Sequence, residues 1–313
     1  MATPITISGR SVGKWRGSWL LFKETFRFLL ADKEMVLIPL ITGFLNLFFL
    51  GMVIAGYFLA GGFATLMGTG AVEQSLRLVD YGFIFLIYVM GAYTLALSQA
   101  AIAFTVFTRA HGGNPTLGQS LVVAFGHTRS LLGWALVTST VGLVLRFIGE
   151  RSRLVGRTIE SLLGAAWNLL TFFAVPSIVL GNKSFYGAIG HSAYLFRRTW
   201  GELLVSNITL GLTFFLAYVL ALLSFMGLLA LSFAVGSITL FVIAVTMAIV
   251  WFVAAALVQT ALQAVLKTLL YLYAAEGTLP KNFNHELLEA VLARQGAVSL
   301  PPAPADPRAP LRS

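Results

Sequence analysis

Six stretches of this chain are apolar for about 18 residues or more, and no Asp, Glu, Lys or Arg falls near the middle of any of them. They run from about Met35 to Ala60, Tyr81 to Phe107, Leu131 to Ile148, Ile159 to Leu180, Leu203 to Leu231 and Ile238 to about Leu266. Hydrocarbon offers the backbone no water, so a stretch of this kind can cross a bilayer only as a helix that satisfies its own amides. The expected fold class is therefore all-α: a polytopic membrane protein with six transmembrane helices. The third stretch is the weakest, being short and carrying Thr138, Ser139 and Thr140. With charged residues at 11% against roughly 25% in soluble domains, the composition excludes an ordinary soluble fold.

Lys and Arg total 21, and their distribution sets the orientation. With the N-terminus inside, sixteen lie on the inner side and five outside. A third stretch that dipped in and returned would leave 12 and 9. The positive-inside rule favours six crossings with both termini cytoplasmic. The outer turn from Gly149 to Arg157 runs against this count, since Arg146, Arg151, Arg153 and Arg157 cluster there with Glu150 and Glu160. The net charge of +9 fits anionic lipid headgroups rather than nucleic acid, because no basic soluble module is present.

Three regions follow. Residues 1–34 form an N-terminal segment, 35–276 the six-span domain, and 277–313 a cytoplasmic tail, Pro/Ala-rich and largely disordered after about residue 295. In the N-terminal segment Trp15, Trp19, Phe22, Phe26 and Leu29 step by three and four, which places them on one helical face. Arg16, Lys23 and Arg27 are expected on the other side. That pattern describes an amphipathic helix in the headgroup plane. Similar segments precede the third span (Leu117 to Ser130, with His127 and Arg129) and the fifth (Phe185 to Trp200, with Arg197 and Arg198). The chain thus reads as three units of surface helix, span and return span, with candidate headgroup contacts at Trp15, Arg16, Trp19, Lys23, Arg27, Arg197 and Arg198.

Neutral amides are the strongest polar signal inside the spans: Asn46, Gln99, Asn168, Gln259 and Gln263. They are either the lining of a polar cavity or interhelical glue, and glue is the default for isolated amides. Gly164, Asn168 and Pro176 are spaced to share a face of span 4. Pro176 frees a carbonyl near Phe172, which Ser177 is placed to satisfy. Small-residue stripes (Gly43, Gly51, Ala55; Gly56, Ala60, Ala64) suit close helix contacts, within one chain, between copies or with another membrane protein. In span 6 the helical pattern continues from Ile238 to Glu276, 39 residues or roughly 58 Å, so it protrudes or tilts and ends at Gly277.

Catalytic and cofactor signals are missing from the sequence. There is no cysteine, no Walker A motif, no GxSxG and no close histidine pair among His111, His127, His191 and His285. The expectation is a protein without metal, cofactor or catalytic residues, not an enzyme. It would organise membrane lipids, anionic ones first, or bind a partner. The alternatives are a transporter or channel subunit with a neutral polar cavity and, behind it, a lipid-modifying enzyme.

The segments RGSWLLFKETFRFLLADKEMVLIPLITG, AAWNLLTFFAVPSIVL, AYLFRRTWGE and LLYLYAAEGTLPKNF resemble a family of bacterial integral membrane proteins defined only as a conserved domain of unknown function. The resemblance runs from about Ser11 to Phe283. It implies about six helices in a bacterial inner membrane and brings no site residues. More distantly, the layout is similar to the membrane domain in front of some glycerophosphodiester phosphodiesterases, without their soluble catalytic barrel.

Overall fold

The computed structural model describes residues 6–7, 10–11, 14–32, 34–62, 78–151 and 155–277. A minimal antiparallel pairing of Thr6–Ile7 with Arg10–Ser11 is the only strand pairing among the described residues, whose other regular elements are helices. The helices are α1 (Lys14–Ala31), α2 (Glu34–Tyr57, continued by a π-turn over Phe58–Gly62), α3 (Leu78–Ala110), α4 (Leu117–Gly126) and α5 (Thr128–Arg151). Then come α6 (Val155–Leu170), α7 (Ala174–Val179), α8 (Phe185–Val235) and α9 (Ile238–Glu276). Among the described residues, six helical stretches are long and apolar enough to cross a membrane: 34–60, 79–110, 128–150, 156–179, 211–235 and 238–276. These match the six expected spans, and the chain is a multi-pass membrane protein.

The chain packs as two compact units. One comprises residues 32–108 and 114–193, and in it α3 is buried over much of its length from Val89 to Val106. Gly91, Thr94, Ser98, Ala101 and Thr105 recur at three- and four-residue intervals along one face of α3, and small side chains let neighbouring backbones come close. At that face the Asn46 amide of α2 donates to Thr94 Oγ1 at 2.6 Å. About three turns further on, the hydroxyls of Thr105 and Ser120 of α4 lie 2.7 Å apart, both buried. α5 and α6 form an antiparallel hairpin in which Trp134 stacks on Trp167. Gly156 is obligatory in that hairpin, because a Cβ there would sit 2.7 Å from the Ile148 carbonyl oxygen and 2.8 Å from that of Gly149.

The other unit comprises residues 1–31, 109–113 and 194–313. α1 packs on α9, whose residues from Ala261 to Leu272 are largely buried. The hairpin between α8 and α9 turns at Gly236, left-handed at φ 65°, and Ser237 caps the N-terminus of α9. Gly277 ends α9 in the left-handed conformation, φ 66°, as expected of a glycine at that place.

Two expectations need correction. The segment Phe185–Trp200 is not a separate surface helix before a fifth span, since α8 is continuous through 51 residues from Phe185 to Val235. Nothing between Trp200 and Leu203 breaks it, because neither Gly nor Pro interrupts the chain there beyond Gly201, and a single helical glycine costs only about 1 kcal/mol. Span 4 is not one straight helix either. It stops at Leu170, turns over Thr171–Phe173 and restarts as α7. Gly164 and Asn168 therefore do not share a continuous face with Pro176.

Candidate functional site

α1 is the segment richest in expected contacts. Thr25 and Leu29 are sealed, Leu29 completely, while Trp19 is 50% exposed and Leu30 is exposed beyond it. Trp19 stacks on Phe22, and Phe22 on Phe26, making a continuous ladder of rings. Lys23 and Arg27 are exposed, and Arg27 donates to Glu24 at 2.9 Å. At about 100° per residue the two basic residues border the aromatic ladder rather than oppose it, which corrects the expected arrangement. Going round the helix, one meets the face buried against α9, then the rings, then the cations. The side chains of Trp15, Arg16 and Arg198 lie outside the described residues; Arg197 is exposed on α8.

The five amides take different places. Asn46 is bonded to Thr94, and Gln259 accepts from the Tyr218 hydroxyl at 2.9 Å. Gln99 and Gln263 are half-buried, and Asn168 is exposed on α6. None of these three makes a hydrogen bond among the described residues. Asn46, Gln99 and Asn168 belong to the first unit described, Gln259 and Gln263 to the second.

A polar joint that sequence reasoning missed forms where span 4 breaks. The Phe173 N–H, released by the turn, donates to Ser192 Oγ at 2.9 Å. The Ser177 hydroxyl shares a hydrogen bond of 3.0 Å with His191 Nδ1 and so is not spent on the carbonyl near Phe172 as expected. Ser177 and Ser192 are fully buried. Burial, and then the charge of Lys183, hold His191 below its ordinary pKa. The only sequence hint was Pro176. The partners are 14 residues apart and on different helices, so no spacing rule links them.

The other described histidines are separate. His111 faces Glu276 at 3.9 Å, and His127 Nδ1 lies 2.9 Å from the Val123 carbonyl at the end of α4. Among the described residues no three His, Cys, Asp or Glu side chains gather as metal ligands.

Comparison with known proteins adds the last observation. Neither a curated protein nor a solved structure matches the chain. The sequence does match, over residues 78–280, the family described as Family of unknown function (DUF6159). That match begins at Leu78, later than the expected Ser11, and no comparison extends the resemblance to glycerophosphodiester phosphodiesterases. Since residues 78–280 are well over half of the chain, this six-span membrane protein belongs to DUF6159, a family of unknown function.

Proposed function

We propose that this protein is a non-enzymatic, lipid-organising component of the bacterial inner membrane, with both termini cytoplasmic, that gathers anionic lipid on its inner face. The observation that carries the reading is α1. One face is anchored on α9, a ladder of rings stands beside it, and Lys23 and Arg27 stand beside the rings. An amphipathic helix held in this way lays its aromatics at the acyl boundary and its cations among the headgroups. The non-enzymatic part is supported by the burial of Ser177, which closes its hydroxyl to a substrate although His191 stands beside it.

The test is lipid retention by the full chain purified in mild detergent from membranes containing phosphatidylglycerol. Reversing Arg16, Lys23 and Arg27 to Glu is expected to reduce retained anionic lipid severalfold, at about 1 kcal/mol per cation near a charged surface. Unchanged retention removes the reading.

A second reading, transport through a neutral polar path, is favoured by three hydroxyls. Ser98, Thr138 and Ser139 have buried oxygens with no hydrogen-bond partner among the described residues, all within spans α3 and α5. Buried hydroxyls in this state call for water or a permeant. As the chain has no cysteine, Ser98→Cys and Ser139→Cys each give a single reporter. Modification of both by a membrane-impermeant thiol reagent would support the path; protection of both would exclude it.

A further inference from the structure

We propose that the groove between α3 and α4 holds one acyl chain of a phospholipid, with the glycerol ester carbonyls at its rim. The groove has a volume of about 660 Å³, within the range of small-molecule sites. Its apolar wall comes from Phe104 of α3 and from Gly118, Val122 and Val123 of α4, with Pro115 at the turn. Its polar lining is Thr108, Asn114 and Gln119. No charged side chain lines it, which disfavours an ionic ligand, whose charge would lose water without gaining a partner.

The polar lining can donate. Gln119 has its Oε1 engaged by the Thr116 N–H, which leaves its amide hydrogens to give. Asn114 and Thr108 can donate as well, from an amide and a hydroxyl. An ester carbonyl only accepts, so a donor rim above an apolar trough complements a glycerol ester above an acyl chain.

Continuity with the membrane selects lipid over a partner helix. α3 is a span and supplies Phe104 near its end. α4 is apolar and, at ten residues, far too short to cross. Yet Val122 is 71% exposed and Phe125 is also exposed. A helix of this kind, carrying no charge, lies at the acyl boundary, where chains are the neighbouring solvent. The trough is also pre-organised. The buried Thr105–Ser120 bond fixes α4 against α3, and a reciprocal capping box between Thr116 and Gln119 fixes its first turn. A preformed trough takes up a flexible chain with less ordering cost on the protein side.

Gly118 provides the test, because a Cβ built there meets nothing within 4 Å. Gly118→Trp is therefore expected to fill the groove without disturbing the fold, and Val122→Trp is a second filling variant from the same helix. The full chain is reconstituted in nanodiscs with a trace of phosphatidylglycerol carrying a mid-chain diazirine, irradiated, and its labelled peptides mapped. Labelling of the peptides holding Phe104 and Val122–Val123 is expected to fall about tenfold in a filled variant whose melting temperature is unchanged, while labelling around exposed Trp251 of α9 persists. A diether analogue without ester carbonyls is expected to label the groove about fivefold less than the diester, for one lost hydrogen bond. Equal groove labelling in folded wild-type and filled proteins overturns the proposal. So does cross-linking of the groove to polypeptide in place of lipid. The site stands apart from the α1 reading: Lys23→Glu with Arg27→Glu is expected to leave groove labelling intact, so failure of one does not entail failure of the other.

Discussion

The Ser177 hydroxyl and Nδ1 of His191 lie 3.0 Å apart, and next to them Ser192 Oγ receives the N–H of Phe173. Together these bonds tie the restart of span 4 to the base of α8. The turn over Thr171–Phe173 interrupts the helix where Phe173 is fully buried, so its freed amide meets no water and Ser192 supplies the acceptor. Replacing Ser192 with Ala is expected to destabilise the protein by about 1–3 kcal/mol, the range for a buried donor left without its acceptor. Thermal unfolding of the full chain in detergent checks it.

Acid should weaken the same joint. Burial, followed by Lys183, depresses the pKa of His191 in the folded protein. Below about pH 6.5 the unfolded chain then binds the proton more readily than the folded one, so stability falls as the pH drops. Above that pH the effect is absent. His191→Gln is expected to flatten the loss between pH 7 and pH 5; an unaltered slope would place the titrating group elsewhere.

Gly156 and Gly142 make a matched pair. A Cβ on Gly156 would press on two backbone carbonyl oxygens that cannot swing aside, whereas Gly142 has nothing within 4 Å. Gly156→Ala is expected to cost about 1–3 kcal/mol or more by overpacking. Gly142→Ala is expected to be neutral or to stabilise by up to about 1 kcal/mol through helix propensity. Reconstituted unfolding curves of the two variants distinguish them, and similar behaviour would contradict the close approach of α5 and α6.

Asn46 and Thr94 offer a double-mutant cycle between α2 and α3. Their 2.6 Å bond is expected to yield a coupling of about 0.6–2 kcal/mol, as measured for interhelical bonds in membranes. Asn46→Leu, Thr94→Val and the double variant, compared by steric-trap or denaturant unfolding, give the number. Additive effects would mean the amide serves another purpose.

Tyr218 and Gln259 do the corresponding work between α8 and α9. Tyr218→Phe keeps the ring stacked on Phe252 while removing the hydroxyl, so only the bond is lost. The expected cost is again about 1 kcal/mol. A loss of several kcal/mol would point to a larger polar network around Gln259.

How much could be read in advance varies with the kind of constraint. The C-terminal limit of α9 was legible because a glycine, Gly277, follows it, and Gly277 takes the positive φ that glycine adopts at no steric cost. The segment from His111 to Pro115, HGGNP, has the composition of a turn, and Gly112 is left-handed there at φ 83°. The joint at Ser177 and His191 was not, because it depends on a helix break that no glycine marks and on residues of two different helices. The burial of α3 was also missed. Its small and hydroxyl residues repeat with a helical period, but nothing in α3 alone says which neighbours will meet them.

By itself, then, the amino-acid order determined the six crossings and several of their ends, because the cost of placing polar groups in hydrocarbon acts on each segment separately. Only tertiary structure decided which amide bonds which hydroxyl, where span 4 gives way, and that α8 runs unbroken. Lateral packing in a bilayer gains little from hydrophobicity, since lipid is as apolar as the helices, and so it rests on close fit and single hydrogen bonds that hydropathy does not encode.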